Sequence, residues 1–258
     1  MFNERTTLSK KIAEEAGKTI LEIQKGDMQT HEKGCNDVLT IADTTSERMI
    51  INAISEVFPD DGFVAEEGSS KKGKSGYTWV IDPLDGTMNF SRGMSYYAVS
   101  IGYLKDGKPY GGAVYIPRLK ELFVCEKGKG AYLNGQQIHV STNNLNKSLA
   151  VIGFNNRQED FRKLHCNIHK NLLDNIMNVE KIFSTVIGLC YVACGRIEIH
   201  CELNCFLWDV MPSCLIIEEA GGKITQINGE NIDFIQLEKQ CVVGTNGLIH
   251  KEILELLN

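Results

Sequence analysis

The sequence predicts a mixed fold: two helices packed on a largely antiparallel sheet, followed by an alternating α/β half. Three observations predict it. Leu8, Ile12, Ala16, Ile20 and Ile23 recur at near-helical spacing. Short apolar runs divided by turn signals such as Asp106-Gly107 fill residues 62–126. From about residue 147, strand-like and helix-like segments alternate.

Taken in order, residues 4–24 read as one amphipathic helix. A second is expected from Thr44, because Thr44-Thr45-Ser46-Glu47 has the form of a capping box. It carries Ile50, Ala53, Ile54 and Val57 and stops before Pro59. Strands are expected at 62–65, 78–81, 96–104, 110–116 and 121–126. The polar stretch "STNNLNKS" marks a boundary, dividing the chain into 1–145 and 146–258. The second part reads as strand 149–154, helix 159–177, and a helix at 184–194 capped by Ser184 and closed by Gly195. A strand at 196–202, a helix at 209–220, strands near 223–227 and 241–244, and a helix at 247–257 complete it.

Composition narrows the function. The 258 residues are 43% apolar and 23% charged, with a net charge of −6, which argues against nucleic acid or an anionic membrane as partner. No apolar run approaches the roughly 18–20 residues of a membrane span. Nine cysteines without a CxxC spacing, and a start that runs from Met1 straight into an amphipathic pattern, predict reduced thiols and a cytoplasmic protein. Cys190/Cys194, Cys201/Cys205 with His200, and His165-Cys166 with His169 raise a zinc or redox reading. Core packing is the simpler account, since free cysteine is among the most buried residue types.

The chemistry concentrates in "WVIDPLDGTMNF" (79–90), where an apolar strand runs into Asp82 and Asp85. Pro83 stiffens the turn, so the carbonyl of Leu84 can be aimed outward. Gly86 lets the backbone approach a ligand, and the amides that follow suit an anion. Asp43, Glu66-Glu67 and Asp209 also stand at expected element ends. For Asp43 and Asp209 helix capping is the alternative, and for the glutamates a solvated loop. Two unit charges about 4 Å apart repel by roughly 4 kcal/mol at an effective dielectric of 20. Several carboxylates beside a phosphate therefore call for divalent cations, which also equip the cluster for hydrolysis.

On these residues the chain resembles the inositol monophosphatase family. "WVIDPLDGTMNF" is similar to its first signature and "WDVMPSCLIIEEAGG" (208–222) to its second. "KGCNDVLTIAD" (33–43), "AEEG" (65–68), "AVSIGY" (98–103) and "KGKGAYLNG" (127–135) agree in order. The resemblance implies a layered αβαβα sandwich, a homodimer, and a phosphomonoesterase acting on a small phosphorylated metabolite. It implies two or three magnesium ions held by Glu66, Asp82, the Leu84 carbonyl, Asp85 and Asp209, with manganese as a substitute and lithium or calcium as inhibitors. It also implies that Gly86 and Thr87 bind phosphate through their amides. Thr87, supported by Asp43, and Glu66 would orient and activate the attacking water. After Glu67, the stretch "GSSKKGKSG" (68–76) reads as a solvated loop or, by the resemblance, a mobile loop that helps close the site.

Glu202, seven residues before Asp209, matches an acid that receives ring hydroxyls in relatives acting on inositol phosphates. With Asp85, Phe183 and Ser184 it forms the expected substrate set. Phe183 stands where many relatives have glycine, and Lys181 is the nearest cation. The best-fitting substrate is myo-inositol 1-phosphate. Fructose 1,6-bisphosphate, NADP(H) or another nucleotide-linked phosphate, and histidinol phosphate stay open, as does a non-catalytic binding protein that keeps the fold.

Overall fold

The computed structural model describes residues 1–26, 28, 30–34, 37–154, 159–235 and 239–257. Cys35, one of the nine cysteines, and Asn36 of "KGCNDVLTIAD" lie outside them.

Helix α1 (Glu4–Ile23) starts where Asn3 accepts a hydrogen bond from the Thr6 amide, and it buries Ile12, Ala13, Ala16 and Ile20. After the short hairpin β1 (His31–Gly34) and β2 (Asp37–Leu39) comes α2 (Ile41–Val57). This helix begins earlier than Thr44. Thr40 is the N-cap, and its amide donates to Asp43 Oδ2 at 2.7 Å, so Asp43 lies in the first turn rather than ahead of the helix. Glu47 serves no cap at Thr44; it accepts the Glu67 amide at 2.8 Å.

An eight-stranded sheet follows, built from β3 (Gly62–Ala65), β4 (Ser70–Lys71), β5 (Tyr77–Asp85), β6 (Ala98–Lys105), β7 (Lys108–Ile116), β8 (Glu121–Glu126), β9 (Ala131–Leu133) and β10 (Gln136–Gln137). The spatial order is β10-β9-β8-β7-β6-β5-β3-β4, with only β3 and β5 parallel. Strand β5 is buried on both faces, which is why it reads as a continuous apolar run. Trp79, Ile81 and Leu84 enter the core beneath α1 and α2, while Val80 enters the core on the opposite face. The lysine-rich stretch at 68–76 is not an unpaired loop throughout, because Ser70–Lys71 pairs with β3 at the sheet edge.

Helix α3 (Thr87–Ser91) leaves the end of β5. The remaining elements are β11 (Leu149–Phe154), α4 (Glu159–Leu173), β12 (Asn178–Glu180), α5 (Thr185–Ala193), β13 (Ile199–Cys205), α6 (Leu207–Val210), α7 (Ser213–Glu219), β14 (Lys223–Gln226), β15 (Gln240–Thr245) and α8 (His250–Leu257). Their five strands run in the order β12-β11-β13-β15-β14. Ile187 of α5 and Ile216 of α7 pack with Val114 and Phe123 of the larger sheet, so these helices fill the space between the two sheets. Ile168 and Leu172 of α4 and Ile253 of α8 cover the far face of the smaller sheet over Ala150, Ile152 and Ile199. The layers therefore alternate helix, sheet, helix, sheet, helix, as the resemblance implies.

Two further boundaries differ from the sequence reading. The helix expected at 209–220 is divided into α6 and α7 at Met211-Pro212, since proline supplies no amide to continue the first turn. The strand expected at 196–202 lies at 199–205. Among the described residues, no helix is long and apolar enough to cross a membrane.

Candidate active site

One pocket gathers residues from both sheets. Glu66, Asp82, Leu84, Asp85, Gly86 and Thr87 line it from the β3 and β5 ends; Phe183, Ser184, Glu202 and Asp209 line it from the smaller sheet's side. Strand alternation explains the meeting. Asp82 points to the same side of β5 as Val80, toward the middle layer, where α6 packs against β5 and carries Asp209.

The turn after β5 is held rigidly. Leu84 N donates to Asp82 Oδ1 at 3.0 Å, and Ser46 Oγ donates to the Pro83 carbonyl at 2.9 Å. Gly86 has φ +83°, and a Cβ there would meet the Tyr96 carbonyl oxygen at 2.7 Å, so no other residue fits. Thr87 Oγ1 lies 2.9 Å from both Asp43 Oδ1 and the Leu84 carbonyl oxygen. Asp43 does not line the pocket. It sits behind Thr87, buried, with Thr40 donating twice to its other oxygen at 2.7 Å.

Each aspartate has its own anchor. Ser184, the N-cap of α5, donates a short hydrogen bond to Asp85 Oδ2, and the amides of Thr185 and Val186 add to it. Asp85 thus sits at the positive end of that helix. Phe206 N donates to Asp209 Oδ2 at 2.6 Å. Asp82 shares a hydrogen bond with Glu66.

The electrostatics are unusual for acids. Burial pushes Asp82 well above the ordinary carboxylate range, and the charges of Glu66, Asp85 and Asp209 push it further. Burial, with Glu202 adding to it, raises Asp85 to about 7 against the pull of Ser184 and the α5 amides. Burial likewise raises Asp209 to about 8, with Asp85 and Glu202 contributing. Asp43 is also raised by burial, against the hydrogen bonds from Thr40 and Thr87. Lys239, also in the pocket wall, is the cation whose charge reaches Asp209.

The donor set suits a hard divalent cation: carboxylates and a main-chain carbonyl, crowded enough to hold protons in a cation's place. Among the described residues no three acidic, imidazole or thiol side chains are already closed around one point. Leu84, Ser184 and Phe206 each already donate to one aspartate oxygen. The residues fit magnesium as an open cluster rather than a finished cage.

Sequence reasoning missed several wall residues: Gly153, Asn204, Cys205, Phe206 and Lys239. Asn89, inside the first signature, is buried; its Nδ2 donates to Tyr96 O at 2.5 Å and to Ile182 O at 2.9 Å. Phe183 is 52% exposed and holds φ +59°, a conformation that favours glycine. Lys181 Nζ lies 4.6 Å over its ring. Lys71, Lys72 and Lys74 do not line the pocket. The described cysteines are free thiols, with Cys125, Cys190, Cys201, Cys205 and Cys214 buried, as core packing requires.

Comparison with known proteins finds relatives over nearly the whole chain. Nus factor SuhB of Pasteurella multocida is 34% identical over 232 residues, covering 88% of this chain and 87% of that protein. Fructose-1,6-bisphosphatase/inositol-1-monophosphatase of Thermotoga maritima is 30% identical over 257 residues, covering 99% and 96%. The crystal structure of extragenic suppressor protein suhB from Bartonella henselae superposes with a TM-score of 0.92 at 28% identity, covering 98% of this chain and 97% of that one. The sequence profile of the inositol monophosphatase family matches residues 2–258, and the chain belongs to that family.

Proposed function

We propose that this protein is a magnesium-dependent phosphomonoesterase that hydrolyses a small sugar or inositol phosphate, with myo-inositol 1-phosphate the best-fitting substrate. The observation that carries the reading is the convergence of Glu66, Asp82, Asp85 and Asp209 beside the Thr87–Asp43 pair. Glu66, Asp82, the Leu84 carbonyl, Asp85 and Asp209 would hold the magnesium. When bound, magnesium supplies charge neutralisation at the phosphate and the leaving oxygen and makes water a better nucleophile.

The chain's own residues do the rest. The single hydroxyl proton of Thr87 is directed to Asp43 or the Leu84 carbonyl, so the hydroxyl lone pairs face outward and accept a hydrogen bond from the attacking water. That fixes the water for in-line attack on phosphorus. Glu66 accepts the proton that the water gives up. The Gly86 and Thr87 amides hold phosphate oxygens through the attack, and no covalent enzyme intermediate is required. Glu202, a carboxylate in the pocket wall, receives hydroxyls of the leaving polyol.

Phosphate release from inositol 1-phosphate, fructose 1,6-bisphosphate and NADP, with magnesium or with EDTA, tests the reading. Magnesium-dependent turnover favouring the inositol ester supports it; preference for another ester transfers the site to that substrate. Fructose 1,6-bisphosphate draws support from the name of the Thermotoga relative and from Lys181 and Lys239 in the pocket wall, which suit a second phosphate. A non-catalytic role draws support from the relative named Nus factor, and absence of turnover across the panel would favour it.

A further inference from the structure

Beneath the pocket wall lies an imidazole that the proposed reaction does not use. His200 is 1% exposed, and among the described residues neither ring nitrogen has a hydrogen-bond partner within normal reach. A buried donor left unsatisfied costs about 1–3 kcal/mol, so its position calls for an explanation.

The geometry supplies one. His200 and Glu202 are two residues apart on β13 and therefore share a face of the strand. His200 Nε2 stands 3.5 Å from Glu202 Oε2. A side-chain rotation of a few tenths of an ångström, roughly 0.3–0.5 Å, brings that contact into the ordinary N–H···O range. Two glycines clear the space. Gly153, paired with Glu202 across the strands, would place a Cβ 1.5 Å from Glu202 Oε2. Gly188, on α5, would place one 2.2 Å from His200 Nδ1. Neither position has a positive φ, so the absence of a side chain at each is matched by the volume of this pair rather than by a backbone need.

Glu202 also has electrostatic reason to need an anchor. Its charge is felt by Asp85 and Asp209 on the pocket side and by His165 of α4 on the other. A carboxylate among acids is pushed away from them unless a donor fixes it, and an oriented acceptor is what recognition of a ring of hydroxyls requires.

We propose that His200 is a positioning residue for Glu202, its Nε2–H donated to Oε2 so that Oε1 is presented to the hydroxyls of a polyol phosphate. This inference rests on the phosphatase reading above for its substrate. It assigns specificity for the alcohol part of the ester to a buried pair rather than to Glu202 alone.

The test uses the full-length protein with magnesium, comparing initial rates on myo-inositol 1-phosphate and on 4-nitrophenyl phosphate, which has no hydroxyls. His200→Phe should lower the ratio of kcat/KM for the two esters about tenfold, mainly by raising KM for the inositol ester. His200→Gln, whose side-chain nitrogen lies near the place of Nε2, should restore most of the ratio. In a Glu202→Gln background, His200→Phe should change the ratio little further. An independent readout is a long-range ¹H–¹⁵N correlation spectrum of histidine-labelled protein. An Nε2–H correlation from the His200 ring should appear, and Glu202→Gln should move its Nε2 resonance. Equal losses on both esters, no recovery with glutamine, additive effects in the double variant, or a His200 signal indifferent to Glu202→Gln would each overturn the pairing. If the unaltered protein hydrolyses neither ester, the phosphatase reading fails while the spectrum still decides whether the pair exists.

Discussion

Strand β5 carries a buried acid problem at each of its ends, and the two are solved in opposite ways. Near its start, Asp61 is 2% exposed and receives four donors. Arg5 contributes two, at 2.8 and 2.9 Å, Ser75 one at 2.6 Å and Trp79 one at 2.9 Å. Burial pushes Asp61 up, but those hydrogen bonds and the charge of Arg5 outweigh it, and the carboxyl stays below its usual value. Arg5 itself is stacked between the rings of Phe58 and Tyr77, 4.1 and 3.7 Å from their centroids. At the other end burial, reinforced by neighbouring carboxylates, raises Asp82, Asp85 and Asp209. One acid is built into the fold with its counter-charge; under the proposed function, the others take theirs from solution. A structural acid and a functional one differ in who supplies the cation.

The contrast can be broken most severely at Asp82. Asp82→Asn should lower magnesium-dependent phosphate release about a thousandfold or more, since charge stabilisation by a bound metal is worth several kcal/mol. Its fold, followed by circular dichroism, should survive. Near-normal activity would remove Asp82 from the site. The opposite result belongs to Arg5. Arg5→Ala leaves Asp61 buried without its partner, and urea denaturation should show a loss of about 3 kcal/mol with turnover per folded molecule preserved.

A pH series sharpens the difference. Folded Asp85 titrates near about 7 and Asp209 near about 8, both well above an unfolded aspartate, so the folded state binds more protons between those limits. Stability of the EDTA-treated protein should therefore fall as pH rises from 5 to 8. Asp61, being lowered, contributes stability that is lost only as pH falls below the ordinary carboxylate range. Magnesium should raise Tm by a few degrees more at pH 8 than at pH 5, because the cation binds the ionised cluster. A thermal shift independent of pH would contradict the raised values. The smallest effect is expected at Phe183. Phe183→Gly should stabilise the protein by about 0.5–1 kcal/mol through relief of the left-handed backbone, read from the urea midpoint.

Much of the functional end of β5 is legible without coordinates, because its chemistry is local: Asp82, Leu84, Asp85, Gly86 and Thr87 lie within six consecutive positions. The structural end is not. Arg5 and Asp61 are 56 residues apart, and nothing in the spacing of either announces the other. Ser184 shows the same division. Its capping role is visible from the apolar run behind it, but its bond to Asp85 spans 99 residues and exists only after the two sheets stack. The sequence pattern misplaces Asp43 because two Thr-x-x-acid patterns, Thr40–Asp43 and Thr44–Glu47, follow one another within eight residues, and the fold uses the first, with Thr40 buried. His200 reads as a stray histidine among cysteines until β13 is seen to set it under Glu202.

The side-chain amide of Asn89 fastens three main-chain oxygens: Tyr96 on one side, and Ile182 and Phe183 on the other. It acts as a rivet between the turn proposed to receive phosphate and the segment proposed to meet the alcohol. Exchanging residues 178–184 for those of a relative therefore cannot retune selectivity in isolation. Any change in that segment's path is transmitted through Asn89 to the turn, and kcat should shift along with the choice of ester.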